Sequence, residues 1–348
     1  MQGSDVLNTT KEYNSLDIFK FVLSIFVVVI HSEIDKTVIS PLLRIAVPSF
    51  FLISSYLFFS KVAILTDKKE RRSALCRLAK RNIFLYLFWV VLQLPLIIYG
   101  HHYHIDFFTK GIVNTLRIVI LGQGFTGSWY IITLVIGSII VYLASKKISA
   151  GWLVLLTLPL YIMCCIATNY RGAFGEESFL VQSIVAYEKA TQSVFNTSLP
   201  GGLFWIAVGN YLARNPIRIK THILNILLAL LVVLIAAERF LIVKFNWQYL
   251  DDCYLTLIVL CPIIFILVRR YNFVFNSRFR FREMSTLIYV IHGSCGRGVG
   301  FLLKMGPLAV LQNEMVKVSL TIVVAVVASA TFLALREKLK MNVLKYAC

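Results

Sequence analysis

Apolar residues fall in long runs along the chain, and polar residues gather in the short stretches between them. A helix that crosses a hydrocarbon layer needs about 20 mostly apolar residues. Ten segments fit this, at 17–34, 42–60, 82–99, 128–144, 152–168, 200–213, 222–242, 253–268, 284–303 and 316–335. The sixth is short and opens with Pro200-Gly201-Gly202, which makes it the weakest span of the ten. The segment 106–121 has helical periodicity and reads as a helix lying along the interface. No soluble domain, internal repeat or low-complexity stretch is visible. The pattern predicts an all-α polytopic transmembrane bundle, one domain over 1–348.

The connections orient the bundle. Placing the N-terminus inside makes alternate connections cytoplasmic. Two of these, 61–81 and 269–283, carry 13 of the 35 Lys and Arg residues. Basic residues concentrate on the cytoplasmic side of membrane proteins, so N-in and C-in is the expected orientation.

Composition agrees with this reading. The chain is 58% hydrophobic and 15% charged, with a mean hydropathy of +0.78. Soluble domains are nearer half apolar and a quarter charged. A formal charge of +18 raises the question of nucleic acid. Topology accounts for it better, so a lipid bilayer is the expected partner and nucleic acid is not. The seven cysteines show no metal-ligand spacing and read as small apolar fillers. The first apolar run contains Lys20 and lacks a small-residue cleavage site, unlike a removable signal.

The run DIFKFVLSIFVVVIH, residues 17–31, carries ionisable groups at both ends. Eleven residues along an α-helix advance about 16 Å and rotate about three full turns. Lys20 and His31 therefore share a face, with Lys20 near the inner end and His31 towards the outer. Asp17 lies one turn before Lys20, and Asp35 one turn after His31. Ionisable groups within spans are costly and are functional candidates by default. The competing reading is that Lys20 snorkels and His31 merely marks the interface.

Four motifs change the weighting. They are Lys20 and His31 separated by ten residues, VPSFFLISSYLFF at 47–59, GSWYIITL at 127–134 and YVIH at 289–292. In order and spacing they resemble the acyltransferase-3 family of integral membrane acyltransferases, over nearly the whole chain. Three departures stand out. Lys20 replaces the usual Arg, and Lys is a point charge where Arg is a planar fork. Ser55 stands where Gly is usual. The segment NTSLPGGLFW, 196–205, lacks the Arg that some relatives carry there.

The resemblance implies a membrane O-acyltransferase. An acyl group, commonly acetyl, would pass from cytoplasmic acyl-CoA to a hydroxyl of an envelope glycan or lipid-linked sugar. The enzyme would sit in the cytoplasmic membrane with no tightly bound cofactor. A cation at the inner mouth favours an anionic donor, which gives Lys20 a role as its anchor. Imidazole titrates near neutrality, which suits His31 as general base. Asp35 or Glu33 would orient it. Ranked below are Arg44 as an acceptor contact or partner of Glu33 or Asp35, Trp129 and Tyr130 as a sugar-stacking wall or as interfacial aromatic anchors, and His292 and Arg297 as cavity-lining groups or helix-to-helix hydrogen-bond partners. Glu238 and Arg239 read as interface markers. HHYH at 101–104 lacks a fourth ligand at a recognisable spacing and reads as outer loop. RFRFRE at 278–283 reads as a lipid-facing basic segment or a coenzyme A docking surface. The alternative function is non-catalytic transport or binding of a small substrate such as serine. The membrane domains of vancomycin-resistance serine racemases resemble the same family.

Overall fold

A computed structural model describes residues 14–32, 34, 38–99, 120–271, 279–305, 313–340 and 342–348. Among them there is no strand. The helices are α1 (Asn14–Ile30), α2 (Ser40–Leu43), α3 (Ala46–Ile64), α4 (Lys68–Tyr99), α5 (Trp129–Ala144), α6 (Ala150–Ala167), α7 (Arg171–Phe174), α8 (Phe179–Thr191), α9 (Leu199–Arg214), α10 (Thr221–Lys244), α11 (Leu257–Arg270), α12 (Phe281–Leu303) and α13 (Glu314–Lys338). Short 3-10 turns follow at Phe195–Thr197 and Asn342–Tyr346.

Each of the ten apolar segments overlaps at least one helix. Five helical stretches are long and apolar enough to cross a membrane by themselves: Ser40–Ile64, Ala150–Ala167, Thr221–Lys244, Phe281–Leu303 and Glu314–Lys338. Helices α1, α5, α9 and α11 have 17, 16, 16 and 14 residues. Helix α4 joins a basic first half to an apolar second half. The segment 106–121 and the HHYH run lie outside the described residues, apart from 120 and 121.

Local signals set the helix ends. Ser149 Oγ accepts a hydrogen bond from Trp152 N at the start of α6 (3.4 Å), and Asn313 Oδ1 accepts from Met315 N at the start of α13 (2.8 Å). Pro200 occupies the first turn of α9, where its missing N–H costs nothing.

Helices α3 and α9 form the centre. Helix α9 lies along α3, α6 and α5, while α1 lies along α12 and α3, and α12 along α13. Helix α10 is peripheral, with Leu230, Val233 and Leu234 exposed as a lipid-facing surface would be. Tight helix contact in a bilayer depends on small residues, because lipid gives little hydrophobic drive for association. Here Gly209 of α9 meets Ser55 of α3. A Cβ at 209 would stand 1.9 Å from Ser55 Oγ and 2.9 Å from Leu52 O. Ser55 in turn donates to Phe51 O, 2.7 Å away within its own helix. The added bulk at position 55 is thus met by a glycine opposite it.

Buried polar groups fasten the loops beyond the helices. Glu238 accepts from Tyr170 Oη (2.6 Å), Leu255 N (2.6 Å) and Thr256 N (3.0 Å). It anchors the connection between α10 and α11 rather than only marking an interface. Arg239 pairs with Asp251 at 3.6 Å. Arg171 grips Glu176 with two 2.8 Å hydrogen bonds, which holds that exposed carboxyl below its usual range.

The α3–α9 contact yields a direct test. Gly209→Ala should lower stability by about 1–3 kcal/mol, the usual cost of overpacking. Thermal unfolding in detergent would read it. Adding Ser55→Gly should recover part of the loss, since the hydroxyl clash goes and the backbone contacts stay. A Gly209→Ala protein as stable as its parent would contradict the close approach.

Candidate active site

Helix α1 carries its two ionisable groups to two different cavities. Lys20 lines a cavity of about 760 Å³ with Lys61, Arg77, Lys80, Arg81 and Arg282. Six cations converge there from α1, α3, α4 and the start of α12. An adjoining cavity of about 470 Å³ shares Arg81 and Arg282 and adds Arg280 and Lys345. Asp17 sits among them, with Arg282 Nε 3.7 Å away. The Lys20 end is therefore strongly basic and able to hold an anion bearing several charges.

His31 lies just beyond the last residue of α1 and lines two other cavities. One, about 700 Å³, also holds His292, Arg297, Lys304, Glu314 and Lys317. The other, about 100 Å³, holds Arg44, Trp129, Trp205, Asn196, Asp252 and Tyr289. His31 stands at the junction of the two. Glu33 and Asp35, expected to orient it, lie outside the described residues.

A second imidazole faces His31. The rings of His31 and His292 have centroids 4.9 Å apart and are inclined by 35°. His292 is buried on α12, and its Nδ1 lies 2.6 Å from Tyr289 O. A carbonyl oxygen can only accept, so Nδ1 carries the hydrogen. In the neutral ring the lone pair is then on Nε2. That atom is buried and has no hydrogen-bond partner among the described residues. The sequence motif YVIH contains both ends of this device, because the residue three positions before His292 is the tyrosine whose carbonyl fixes the tautomer.

The same tyrosine side chain separates the two ends of the site. Tyr289 lines both the basic cavity and the small His31 cavity. Its hydroxyl donates to Gly127 O at 2.7 Å. Its ring packs on Tyr130 (5.4 Å between centroids) and Phe50 (5.6 Å). Gly127 has φ +81°, and a Cβ there would sit 3.1 Å from Tyr289 Oη and 3.6 Å from His292 Cε1. Position 127 favours glycine on both counts. Ser128 accepts from Phe125 N (3.0 Å) and donates to Gly122 O (2.5 Å), which fixes the turn leading into Trp129.

The expected Trp129–Tyr130 wall divides. Trp129 faces the small cavity beside His31. Tyr130 faces the basic cavity, with its hydroxyl 3.1 Å from Phe50 O and 2.9 Å from Ser54 Oγ. Consecutive helical residues point about 100° apart, so one pair can serve two cavities. Arg44 pairs with Asp252 at 3.0 Å. Asn196 Nδ2 donates to the other oxygen of Asp252. Asp252 and Asn196 are site residues that sequence reasoning missed. So is Gln93, which donates to Val290 O (2.9 Å), accepts from Ser294 Oγ (2.6 Å) and ties α4 to the histidine-bearing helix.

The sequence matches the profile of the acyltransferase domain over residues 13–334. The chain belongs to the acyltransferase-3 family. Its similarity to curated proteins is weaker. It is 22% identical to an amino-acid racemase of Enterococcus faecalis over 346 residues, covering 94% of this chain and 47% of that protein. It is 23% identical to a serine/alanine racemase of Enterococcus gallinarum over 325 residues, covering 89% of this chain and 44% of that protein. The chain thus spans about half the length of the curated relatives it matches. No solved structure matches it. Family membership and several long apolar helices make this a membrane protein of the acyltransferase type.

The tautomer of His292 is measurable. Solid-state NMR of protein labelled with 15N-histidine should place the bonded hydrogen of His292 on Nδ1. A hydrogen resident on Nε2 alone would break the Tyr289 contact and the arrangement built on it.

Proposed function

We propose that this acyltransferase-3 chain moves an acyl group, acetyl in the first instance, from cytoplasmic acyl-CoA to a hydroxyl of an extracytoplasmic envelope glycan or lipid-linked sugar. The observation that carries the reading is the meeting of two unlike cavities at one tyrosine. The basic cavity around Lys20 suits the several phosphate charges of coenzyme A. The cavities around His31 bring imidazoles to where an acceptor hydroxyl would enter. Tyr289 lines both sides, so a donor's thioester arm has only an aromatic layer to cross.

The reaction balances with these groups. The acceptor hydroxyl oxygen attacks the thioester carbonyl carbon, and His31 takes the hydroxyl proton. The carbon–sulfur bond then breaks, and an ester and a thiolate result. The thiolate takes a proton and leaves as free coenzyme A. His292 faces His31 with its tautomer fixed, and it is the second group placed to receive or return the proton. In this reading the bundle has ten spans, with both termini and the basic connections in the cytoplasm.

A second reading rests on the relatives. Both of those named above are called racemases, and this chain covers about half of each. A transport or binding role for a small substrate such as serine would need the cavities but no base.

Three measurements test the proposal. Lys20→Ala should weaken donor binding roughly ten- to a hundredfold, the worth of a charge-assisted contact of about 1.5–3 kcal/mol, while Lys20→Arg should keep it. Unchanged donor dependence would leave Lys20 as a snorkelling residue. His31→Gln keeps a hydrogen-bonding side chain but no neutral-pH base, so transfer should fall about a hundred- to ten-thousandfold. Mass spectrometry of envelope glycans from cells with and without the protein should differ by one acyl group. Glycans of equal mass, together with saturable serine binding by the purified chain, would turn the assignment to transport. For orientation, an impermeant thiol reagent applied from outside should miss a cysteine placed at Lys69.

A further inference from the structure

Shared residues put three spaces of the site in order. Tyr289 lines both the basic cavity around Lys20 and the cavity of about 100 Å³. His31 lines both that small cavity and the one of about 700 Å³. The basic cavity and the 700 Å³ cavity share no lining residue among those described. An arm that leaves the basic cavity past Tyr289 therefore reaches the small cavity first, and the large one lies beyond His31. The small cavity is mostly apolar. Val27 and Ile30 of α1, Val47 of α3, Trp129 of α5, Trp205 of α9 and Leu257 of α11 line it. Val27, Trp205 and Leu257 are buried. Trp205 is braced edge-on by Tyr161, with ring centroids 4.8 Å apart, and Tyr161 Oη donates to Tyr254 O at 2.9 Å. On the polar part of the wall, Asp252 takes both Arg44 and Asn196. Packed interiors do not dilate freely, so the volume acts as a limit.

We propose that the small cavity seats the acyl chain of the donor and caps its length, with Trp205 and Trp129 as the specificity-determining residues. The inference rests on the transfer reaction proposed above and defines which acyl groups it accepts. At the moment of attack the thioester carbon bears, besides its own oxygen, a sulfur, an acyl chain and an incoming oxygen. The order of the spaces gives each a place. The sulfur and its arm lead back past Tyr289 to the basic cavity. The acyl chain lies between Trp129 and Trp205 in the small cavity. The acceptor oxygen comes from the 700 Å³ space, and His31, common to both spaces, takes its proton. Size then sets the limit. An apolar cavity of about 150 Å³ takes one benzene molecule, so a cavity of this size takes roughly four carbon-sized atoms. Acetyl fits with room to spare, and hexanoyl does not. The braced Trp205 ring keeps the wall from yielding to a longer chain.

The test uses the full chain in lipid nanodiscs with an extract of envelope glycans as the acceptor source. An equimolar mixture of acetyl-, hexanoyl- and octanoyl-CoA competes as donor, and mass spectrometry counts each acyl mass on the glycans. Hexanoyl transfer should fall at least tenfold below acetyl transfer, and octanoyl lower still, because one misfitted methylene in an apolar pocket costs about tenfold or more. Trp205→Leu and Trp129→Leu each enlarge the cavity, and each should raise the ratio of hexanoyl to acetyl product tenfold or more. A ratio taken within one sample does not depend on how much of the variant folds. If Trp205→Leu yields no folded protein, Trp129→Leu carries the comparison. Octanoyl transferred as readily as acetyl by the parent, or a ratio that neither variant moves, overturns the acyl subsite and leaves the transfer reaction standing. No acyl mass from any of the three donors removes the transfer reaction and the subsite with it.

Discussion

An ionisable side chain inside a membrane must find polar company or water, because hydrocarbon solvates charge poorly. Helix α1 carries such a group at each end, and much of the bundle answers that demand. Lys20 opens onto a space that α3, α4 and the start of α12 line with five further cations. That concentration of like charge is unfavourable by itself and becomes favourable when a polyanion occupies it. His31 opens onto spaces lined by a second imidazole, an arginine–aspartate pair and an asparagine. The two ends thus differ in chemistry: one gathers cations, and the other brings together two imidazoles, an ion pair and an amide.

What separates the ends matters as much as what lines them. Tyr289, Tyr130 and Phe50 form a layer of packed rings, and the Tyr289 hydroxyl is tied to the carbonyl of a left-handed glycine. The same turn of α12 that places Tyr289 in this layer also places His292, whose ring hydrogen goes to the Tyr289 carbonyl. Gln93 of α4 bonds to Val290 within that turn and to Ser294 just beyond it. Layer and imidazole are therefore coupled through one helical turn, and neither can shift without the other.

Local periodicity made part of this legible in the sequence. The helical positions followed from runs of apolar residues, and the placing of Lys20 and His31 towards opposite ends of α1 followed from their spacing of eleven residues. YVIH was visible as a motif, although its meaning as a tautomer lock needed the backbone. Partnerships across the fold were not legible. Asp252 sits in a loop with Asp251 beside it, and nothing in its neighbourhood points to Arg44 of another element. In the sequence Asn196 marks only the start of a segment that lacks an arginine. The division of Trp129 from Tyr130 depended on which elements pack against each side of α5. Ser55 adds bulk where glycine is usual, and only the fold places Gly209 opposite it. Each of these is a fact about two elements meeting, and a single sequence holds no record of it.

The transport reading and the proposed transfer make different demands on the same cavities. Transport needs a path along which a whole substrate passes, so the aromatic layer would have to open wide enough for it. Transfer needs only a thin reactive arm to reach from one side to the other while both bodies stay where they bind. A layer held by ring packing, a hydrogen bond to Gly127 and the Gln93 ties resists wide opening more than narrow penetration. Two imidazoles 4.9 Å apart add to the contrast. A conduit has no use for a fixed tautomer with its remaining nitrogen buried and unpaired, whereas a site that moves a proton requires a base of that kind. The proposed reaction therefore draws on features that passage alone would leave unexplained.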